Sequence, residues 1–318
     1  MSSVYLLHEN PEWIAPLERA LDVLGTQYEV WDISAGSIDL AAPPPPGVFY
    51  CRMSASAHTR GHPHAAQYAS AVLQWLEHHQ RRVVNGSRSI LLEVSKVRQY
   101  MAMTAAGIRV PHTRVAVGRE HVMAAADGLP YPLIVKPNQG GKGLGVQKFE
   151  SRDALETYVD SDELDAGPDG TLLVQEYIQP AEPFIVRNEF VAGKHLYSVR
   201  VDTTDGFELC PADACAIDDV ACPVGENASA RFEILGTFSP PEIQRYEALL
   251  ANHGIEVAGI EMIFGADGNT YTYDINVNTN YNEEAEALAG FGGTARAGMG
   301  AVAKHLTALL HQAMRSAA

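Results

Sequence analysis

The chain has 318 residues, of which 46% are hydrophobic and 19% charged, a composition that supports packed cores and excludes a disordered chain. At roughly 100–200 residues per domain that length accommodates two or three domains. Lys plus Arg number 23 and Asp plus Glu 39, so the net charge is −16, and such a field makes nucleic acid and anionic membranes poor default partners. No apolar run approaches the roughly 20 residues of a membrane span, and the first residues, MSSVYLLHEN, lack the basic start and cleavage site of a signal peptide. The 4 cysteines (Cys51, Cys210, Cys215 and Cys222) include no Cys-x-x-Cys pair, so a reduced, cytoplasmic protein with free thiols is expected.

In chain order, short apolar runs alternate with helical periodicity. Strands are expected at Val4–His8, Tyr28–Ile33, Val48–Met53 and Arg82–Asn85, with helices at Pro11–Leu24 and His64–His79. Ala41–Gly47 (AAPPPPG) offers few backbone donors to a ladder and reads as a connector. This is the pattern of a small parallel α/β unit. One helix is then expected from Ser87 to about Ala106, stopped by Gly107 and Pro111. Strands follow at Thr113–Val117, Leu133–Pro137, Val146–Glu150 and Leu172–Ile178, with helices at Glu120–Ala126 and Arg152–Val159. Phe184–Val191 and His195–Asp202 read as a hairpin around Ala192-Gly193-Lys194. Ser239-Pro-Pro-Glu242 reads as a capped helix start running to Gly254. Val257–Phe264 and Thr270–Asn278 form another hairpin, and two helices, at about 282–290 and 296–314, close the chain.

The hairpin Val257–Asn282 carries the most chemistry. If Asp267-Gly268 forms its loop, Ala266 faces Asn269 and Glu261 faces Asp274; a four-residue loop keeps the same register. Asn276 and Asn278 continue along the face of Asp274, since side chains repeat every second residue. Two opposed carboxylates repel unless a cation sits between them, and an oxygen-only donor set suits Mg²⁺. The alternative is a solvated polar hairpin. A register slip of one residue would put the two carboxylates on opposite faces.

Upstream, Leu133-Ile-Val-Lys136-Pro places a lysine near the end of an apolar strand, where an ammonium needs a partner or a cleft. Gly140, Gly141, Lys142, Gly143 and Gly145 follow. No Ser or Thr follows Lys142 and no helix follows the loop, so it is neither a Walker loop nor a dinucleotide fingerprint. Its bare amides suit phosphate oxygens; the competing reading is a mobile linker. Arg187 and Glu189 share a face of the next hairpin, which also carries Arg200; as a surface pair they would contribute under about 1 kcal/mol. His58, His62 and His64 are interrupted by Pro63 and lack zinc spacing, and the spacing of Cys210, Cys215 and Cys222 fits no common zinc pattern.

Taken in order, Ser95-Lys96 opening a helix, Pro-Leu-Ile-Val-Lys136-Pro with its glycine loop, Val-Gln175-Glu176-Tyr177-Ile178, the arginine-bearing hairpin and Glu261…Asp274-Ile-Asn276 resemble the ATP-grasp superfamily, and within it the RimK-like carboxylate–amine ligases. The resemblance covers about residues 48–280 and includes Tyr50-Cys-Arg52-Met-Ser at a strand end of the N-terminal unit. It implies an α/β (α+β ATP-grasp) fold: an N-terminal Rossmann-like unit over 1–87, a central lobe over 88–179 and a C-terminal lobe with the metal site over 180–318. It implies that Lys96 and Lys136 meet the nucleotide phosphates, that Gly140–Gly145 is the lid, and that Gln175–Ile178 is the adenine hinge. Glu182 and Glu189 are then the two candidates for the ribose contact. Glu261, Asp274 and Asn276 would hold Mg²⁺ (or Mn²⁺). Arg200 is similar to the arginine that stabilises an acyl-phosphate, with Arg52, Arg187 and Asn278 beside it on the substrate. The family usually has Glu where this chain has Asp274, a shorter reach. The implied reaction joins a small carboxylate to an amine, releasing ADP and phosphate. A small-molecule kinase and a non-catalytic ATP-binding regulator remain alternatives, and such ligases are often dimers or tetramers.

Overall fold

The structure, a computed structural model, describes residues 2–141, 143–204 and 231–317. Strands β1 (Ser3–His8), β2 (Tyr28–Asp32), β3 (Gly47–Arg52) and β4 (Arg82–Val84) form a parallel sheet in the order β2-β1-β3-β4. Both faces of β1 and β3 are apolar, as a parallel sheet covered on both sides requires. Helix α2 (Ala65–His78) covers one face, packing Val72 and Leu76 over Phe49 and Cys51. Helix α1 (Ala15–Val23) covers the other with Leu17 and Leu21. The proline segment is a connector that uses its carbonyls: Trp75 Nε1 donates to Ala42 O, and Arg81 to Pro44 O and Pro45 O.

The single helix expected from Ser87 is two, α3 (Ser87–Glu93) and α4 (Lys96–Ala105). Ser95 is extended, and its hydroxyl accepts from the Arg98 amide, a serine N-cap that restarts the helix. The break makes Lys96 the first residue of α4.

A second sheet is antiparallel and ordered β5-β8-β6-β7, from β5 (Thr113–Val117), β6 (Leu133–Pro137), β7 (Gln147–Phe149) and β8 (Thr171–Glu176). Helices α5 (Val122–Ala126) and α6 (Arg152–Asp160) close its core around Leu133, Val135, Leu155 and Leu172.

The third sheet, also antiparallel, is ordered β11-β10-β9-β12-β13. Its strands are β9 (Phe184–Val191), β10 (Lys194–Asp202), β11 (Phe232–Leu235), β12 (Ala258–Phe264) and β13 (Thr270–Asn276). Ala192 and Gly193 both have positive φ, as a two-residue hairpin turn between β9 and β10 requires. Helix α7 (Glu242–His253) packs Tyr246, Leu249 and Leu250 against Val186, Phe190, Ile260 and Met262. The opposite face carries Arg187, Glu189 and Glu261. The α7 start departs from expectation: Pro241 is the N-cap without a side-chain bond, and Ser239 lies outside the helix. The chain ends with α8 (Glu283–Leu288) and α9 (Gly298–Ala317); α9 returns to the first sheet, where Leu306 and Leu310 join the core of Leu17 and Leu21.

Candidate active site

A cavity of about 440 Å³ lies where the three sheets meet. Lys96, Lys136, Gly140, Gly141, Gly143, Gln175, Glu176, Tyr177, Ile178, Arg187, Glu261, Asp274, Asn276 and Asn278 all line it. Residues from six separate stretches of sequence therefore converge on one space.

Its acidic wall is built by strand register. Arg187 on β9 faces Glu261 on β12, which faces Asp274 on β13, so the three side chains form a row across three strands. The hairpin reaches this pairing by an unexpected route. The Gly265 amide bonds the Asn269 carbonyl, leaving a three-residue loop, and Met262 faces Thr272, one residue off the expected register. Continued, that register would set Glu261 against Tyr273 and turn Asp274 away. A β-bulge beside Glu261 takes up the extra residue and restores the opposition of the two acids.

Each carboxylate already has a cation. Arg187 Nη1 donates to Glu261 Oε1 at 2.9 Å and Arg187 Nε to Glu189 Oε1 at 2.6 Å. Lys96 Nζ donates to Asp274 Oδ1 at 2.8 Å. Burial pushes the Glu261 carboxyl up, against the pull of Arg187, and the neighbouring Asp274 charge adds to the rise. Burial alone would lower Lys96; the charge and hydrogen bond of Asp274, with Glu261 and Glu93, outweigh it and hold the ammonium above its ordinary value. Asn276 Nδ2 donates to Glu261 Oε1 at 3.3 Å, which turns its own carbonyl oxygen the other way. Two carboxylates and an amide oxygen fit a hard divalent cation that completes its shell with water and phosphate. Among the described residues no group of three or more His, Cys, Asp or Glu side chains could hold a metal, so no all-protein cage competes with that reading.

Lys136 is different. Its ammonium donates to Tyr100 Oη at 2.8 Å and lies 5.2 Å from the Tyr100 ring centre and 5.9 Å from that of Tyr273. Burial, then repulsion from Lys96, lowers its pKa to about 7. The two lysines are brought together by Asn138, which follows β6: its Oδ1 accepts from the Val97 amide at 2.9 Å and its carbonyl from the Lys96 amide at 3.1 Å. Sequence reasoning missed Asn138, although it directly follows Lys136-Pro137.

The hinge segment leaves β8 along one edge of the cavity. Gln175 Nε2 is taken by Tyr100 and Thr113, and Glu176 Oε1 accepts the His112 amide at 2.7 Å. The Ile178 amide and carbonyl have no hydrogen-bond partner among the described residues, the donor–acceptor pair a purine edge needs. Opposite, Gly140, Gly141 and Gly143 border the cavity, Gly143 at φ +76°, which only glycine adopts at little cost. Gly145 is outside the lining and bends back over Pro137. Lys142, Cys210, Cys215 and Cys222 lie outside the described residues.

Several assigned residues are placed elsewhere. Arg200 faces Val186, on the α7 side of the sheet, lies over the Phe184 ring at 4.4 Å and pairs with Glu233 at 3.6 Å. It does not border the cavity; Arg187 does. Glu189 is buried under Arg187 and accepts from Thr279 Oγ1 at 2.8 Å, so it is committed internally, whereas Glu182 is exposed beside the cavity residue Pro183. Arg52 is buried and touches Asn278, Thr279 and Asn280, not the cavity. In the histidine cluster, His62 Nδ1 meets Glu9 Oε2 at 3.1 Å, and Arg60 bonds the same buried carboxylate. Trp13, Ser54, Ser56, Glu93 and Asn280 border the cavity unforeseen. Ser54 and Ser56 had a signal: they follow the carboxyl end of β3, where open parallel sheets place ligands.

The fold defines the class. The structure of the RimK domain ATP-grasp protein from Sphaerobacter thermophilus superposes over 95% of this chain and 98% of its own with a TM-score of 0.65 at 20% identity. The ATP-grasp ligase PsnB, solved with a minimal precursor, Mg and ADP, superposes over 96% of each chain with a TM-score of 0.60 at 15% identity. This is the ATP-grasp fold. Residues 94–206 match the family model of the RimK-like ATP-grasp domain. Curated relatives include a probable alpha-L-glutamate ligase of Enterobacter sp. (strain 638), 27% identical over 63% of this chain and 66% of its own. Another is the alpha-aminoadipate–LysW ligase LysX of Sulfurisphaera tokodaii, 25% identical over 51% and 60%. The matched stretch thus covers less than two thirds of either relative.

Proposed function

We propose that the protein is an ATP-dependent carboxylate–amine ligase that makes an amide through an acyl-phosphate and releases ADP and phosphate. The observation that carries this reading is the convergence in one cavity of the Arg187–Glu261–Asp274 row, Asn276, Lys96, Lys136, a glycine loop and a backbone edge at Ile178 that no described residue pairs. The two curated relatives and the structural neighbour PsnB are ligases by name, which supports it. The three sheets then act as units divided near residues 87 and 179, with the cavity between them.

In this reading adenine lies along Ile178 and the phosphates run beneath Gly140–Gly143 towards Lys96 and Lys136. Glu261, Asp274 and Asn276 would hold Mg²⁺, which supplies charge neutralisation for the triphosphate. A carboxylate oxygen of the first substrate attacks the γ-phosphorus, and the bond from that phosphorus to the ADP oxygen breaks. The amine nitrogen of the second substrate then attacks the acyl carbon; the carbon–oxygen bond to phosphate breaks and the amine gives up a proton. Arg187, not Arg200, is the guanidinium that faces the negative charge gathered there. Lys136 enters the encounter poised between its two protonation states and is held charged once phosphate oxygens replace its aromatic neighbours.

The test is an ADP-release screen of amino acids and short peptides in pairs, with ATP and Mg²⁺. The expected outcome is ADP release that requires both a carboxylate and an amine. A stable phosphorylated product formed without an amine would establish a kinase instead, and ATP binding without turnover for any pair would establish a regulator.

A further inference from the structure

Helix α4 presents Lys96, Gln99 and Tyr100 along one side, since residues three and four apart are neighbours on a helix surface. Lys96 holds the Asp274 carboxylate and Tyr100 meets Lys136. Gln99, between them, is 1% exposed, and both ends of its amide are engaged. Nε2 donates to Leu92 O at 2.9 Å and to Ile275 O at 2.8 Å, and Oε1 accepts the Ile275 amide at 3.0 Å. Two carbonyl oxygens face the same end of the side chain, so that end is the –NH₂ and the orientation of the amide is fixed. With both N–H groups and its oxygen committed to backbone, Gln99 acts through what it holds.

What it holds is the end of a sheet. β13 is last in the strand order of the third sheet, with β12 as its neighbour on one side only. An edge strand leaves alternate N–H and C=O groups without a ladder partner, and such groups are costly to bury unless something else pairs with them. At Ile275, itself 1% exposed, Gln99 makes both of the bonds that a further strand would make. The residues before and after are Asp274 and Asn276. Both border the cavity, and each has a single methylene between backbone and functional group, so the placement of their oxygens follows the backbone closely. Lys96 grips the Asp274 side chain from the same helix, three residues before Gln99. Leu92 O, in the last turn of α3, braces the glutamine from behind.

We propose that Gln99 is a positioning residue for the divalent cation: it stands in for a neighbouring strand at one residue, fixes Ile275, and so sets Asp274 and Asn276 beside Glu261 without itself touching cation or nucleotide. The inference rests on the ligase reading, in which those three residues hold Mg²⁺, and adds to it the residue that sets their spacing. Two adjacent residues of α4 then serve different walls. Gln99 serves the acidic wall through Ile275; Tyr100 serves the phosphate wall through Lys136 and Gln175. Loss of the Gln99 amide should therefore weaken the cation and spare the nucleotide.

The experiment measures binding without turnover. A non-hydrolysable ATP analogue is titrated into the protein in EDTA by calorimetry, and Mn²⁺ is then titrated into the protein–analogue complex, with free Mn²⁺ read by electron paramagnetic resonance. Gln99→Met keeps the length of the side chain and removes the amide. Gln99→Asn keeps the amide but, one methylene shorter, withdraws it from Ile275 and loses little packing, so it remains informative if the methionine variant fails to fold. Both are expected to raise the Kd for Mn²⁺ by at least about tenfold and to leave the metal-free Kd of the analogue within about twofold of wild type. Met103→Ala, on the same helix and 0% exposed but without a bond to β13, is the control for lost packing; it is expected to lower the melting temperature with Mn²⁺ affinity unchanged. A rise of less than about tenfold in the glutamine variants, an equal loss of metal-free analogue binding, or an equal loss of Mn²⁺ in Met103→Ala overturns the inference and leaves the ligase reading standing. No Mn²⁺ bound by the wild-type complex overturns the cation site on which both rest.

Discussion

The two charged walls of the cavity solve opposite problems. On the β9-β12-β13 wall every carboxylate of the row has an ion-pair partner in advance, two of them sharing one: Glu261 and Glu189 pair with Arg187, and Asp274 with Lys96. On the β6 wall no carboxylate among the described residues pairs with Lys136; its neighbours are a tyrosine hydroxyl and two aromatic faces, and its pKa falls to about 7. The first wall is paired without ligand and, in the proposed reading, would have to exchange partners when a cation arrives. The second is held at a cost to the free protein that an entering anion would recover. A site for a metal-bound polyphosphate needs both: paired acids that do not repel each other apart, and a cation left wanting a phosphate.

The comparison breaks first at Asp274. Asp274→Asn removes one of the two opposed charges and the partner of Lys96 while preserving shape. ADP release is expected to fall by roughly 10²–10³-fold, the usual effect of losing one electrostatic contact to a reacting centre. A fall of less than about threefold in steady-state assays would show that the paired wall is structural only.

Lys136→Met tests the other wall, and activity and stability are expected to move in opposite directions. ATP affinity should fall by about 10²-fold in calorimetry, while the free protein at pH 7 should melt roughly 2–5 °C higher because a buried, unmatched ammonium is gone. The pH dependence has a definite sign. In the unfolded chain this lysine titrates near 10.5 and in the folded protein near 7, so between those values the unfolded state binds more protons. Stability from this group therefore rises with pH across that window and is flat below about pH 7. The gap in unfolding free energy between wild type and the Lys136→Met variant should accordingly shrink as pH rises from about 7 to about 10. A gap independent of pH would mean that Lys136 is charged and matched in the free protein.

Gly259→Ala should have a smaller effect. A Cβ there would lie 2.7 Å from Arg187 Nη2 and 2.8 Å from Nε. The guanidinium is pinned by Glu189, Glu261 and Thr279, so it cannot move aside cheaply. A destabilisation of about 1–3 kcal/mol in denaturant unfolding, with about a tenfold loss of ADP release, is expected. An alanine variant of full activity would mean that the position of Arg187 is not critical.

The order of strands and helices was legible because periodicity reports burial, and the paired acids were legible because a hairpin turn sets register. What escaped was mostly what a single residue of offset decides. In the β12-β13 hairpin the loop is one residue off the expected register and a bulge corrects it, so Glu261 and Asp274 meet as expected. In the β9-β10 hairpin the tight turn at Ala192-Gly193 begins a register in which Arg200 would face Ile185 and share the side of Arg187. A bulge between His195 and Tyr197 shifts it to Val186, on the other side. Neither bulge has a sequence signature here. The buried placement of Arg52 escaped for another reason: its partners Thr279 and Asn280 lie 227 and 228 residues away, and local pattern carries no information about them.

Arg200 therefore gives the sharpest separation between the two readings at the smallest effect. If the shifted register is right, its guanidinium meets Phe184 and Glu233, is 39% exposed, and never touches the reacting atoms. Arg200→Ala should cost under about 1 kcal/mol, as for other partly exposed pairs, and leave ADP release within about twofold of wild type. Arg187→Ala, by contrast, would leave Glu189 and Glu261 buried without their cation and should abolish turnover. Should Arg200→Ala abolish ADP release with the melting temperature unchanged, the face assigned by strand pairing would be wrong, and the guanidinium that serves the reaction would be the one the sequence motif first indicated.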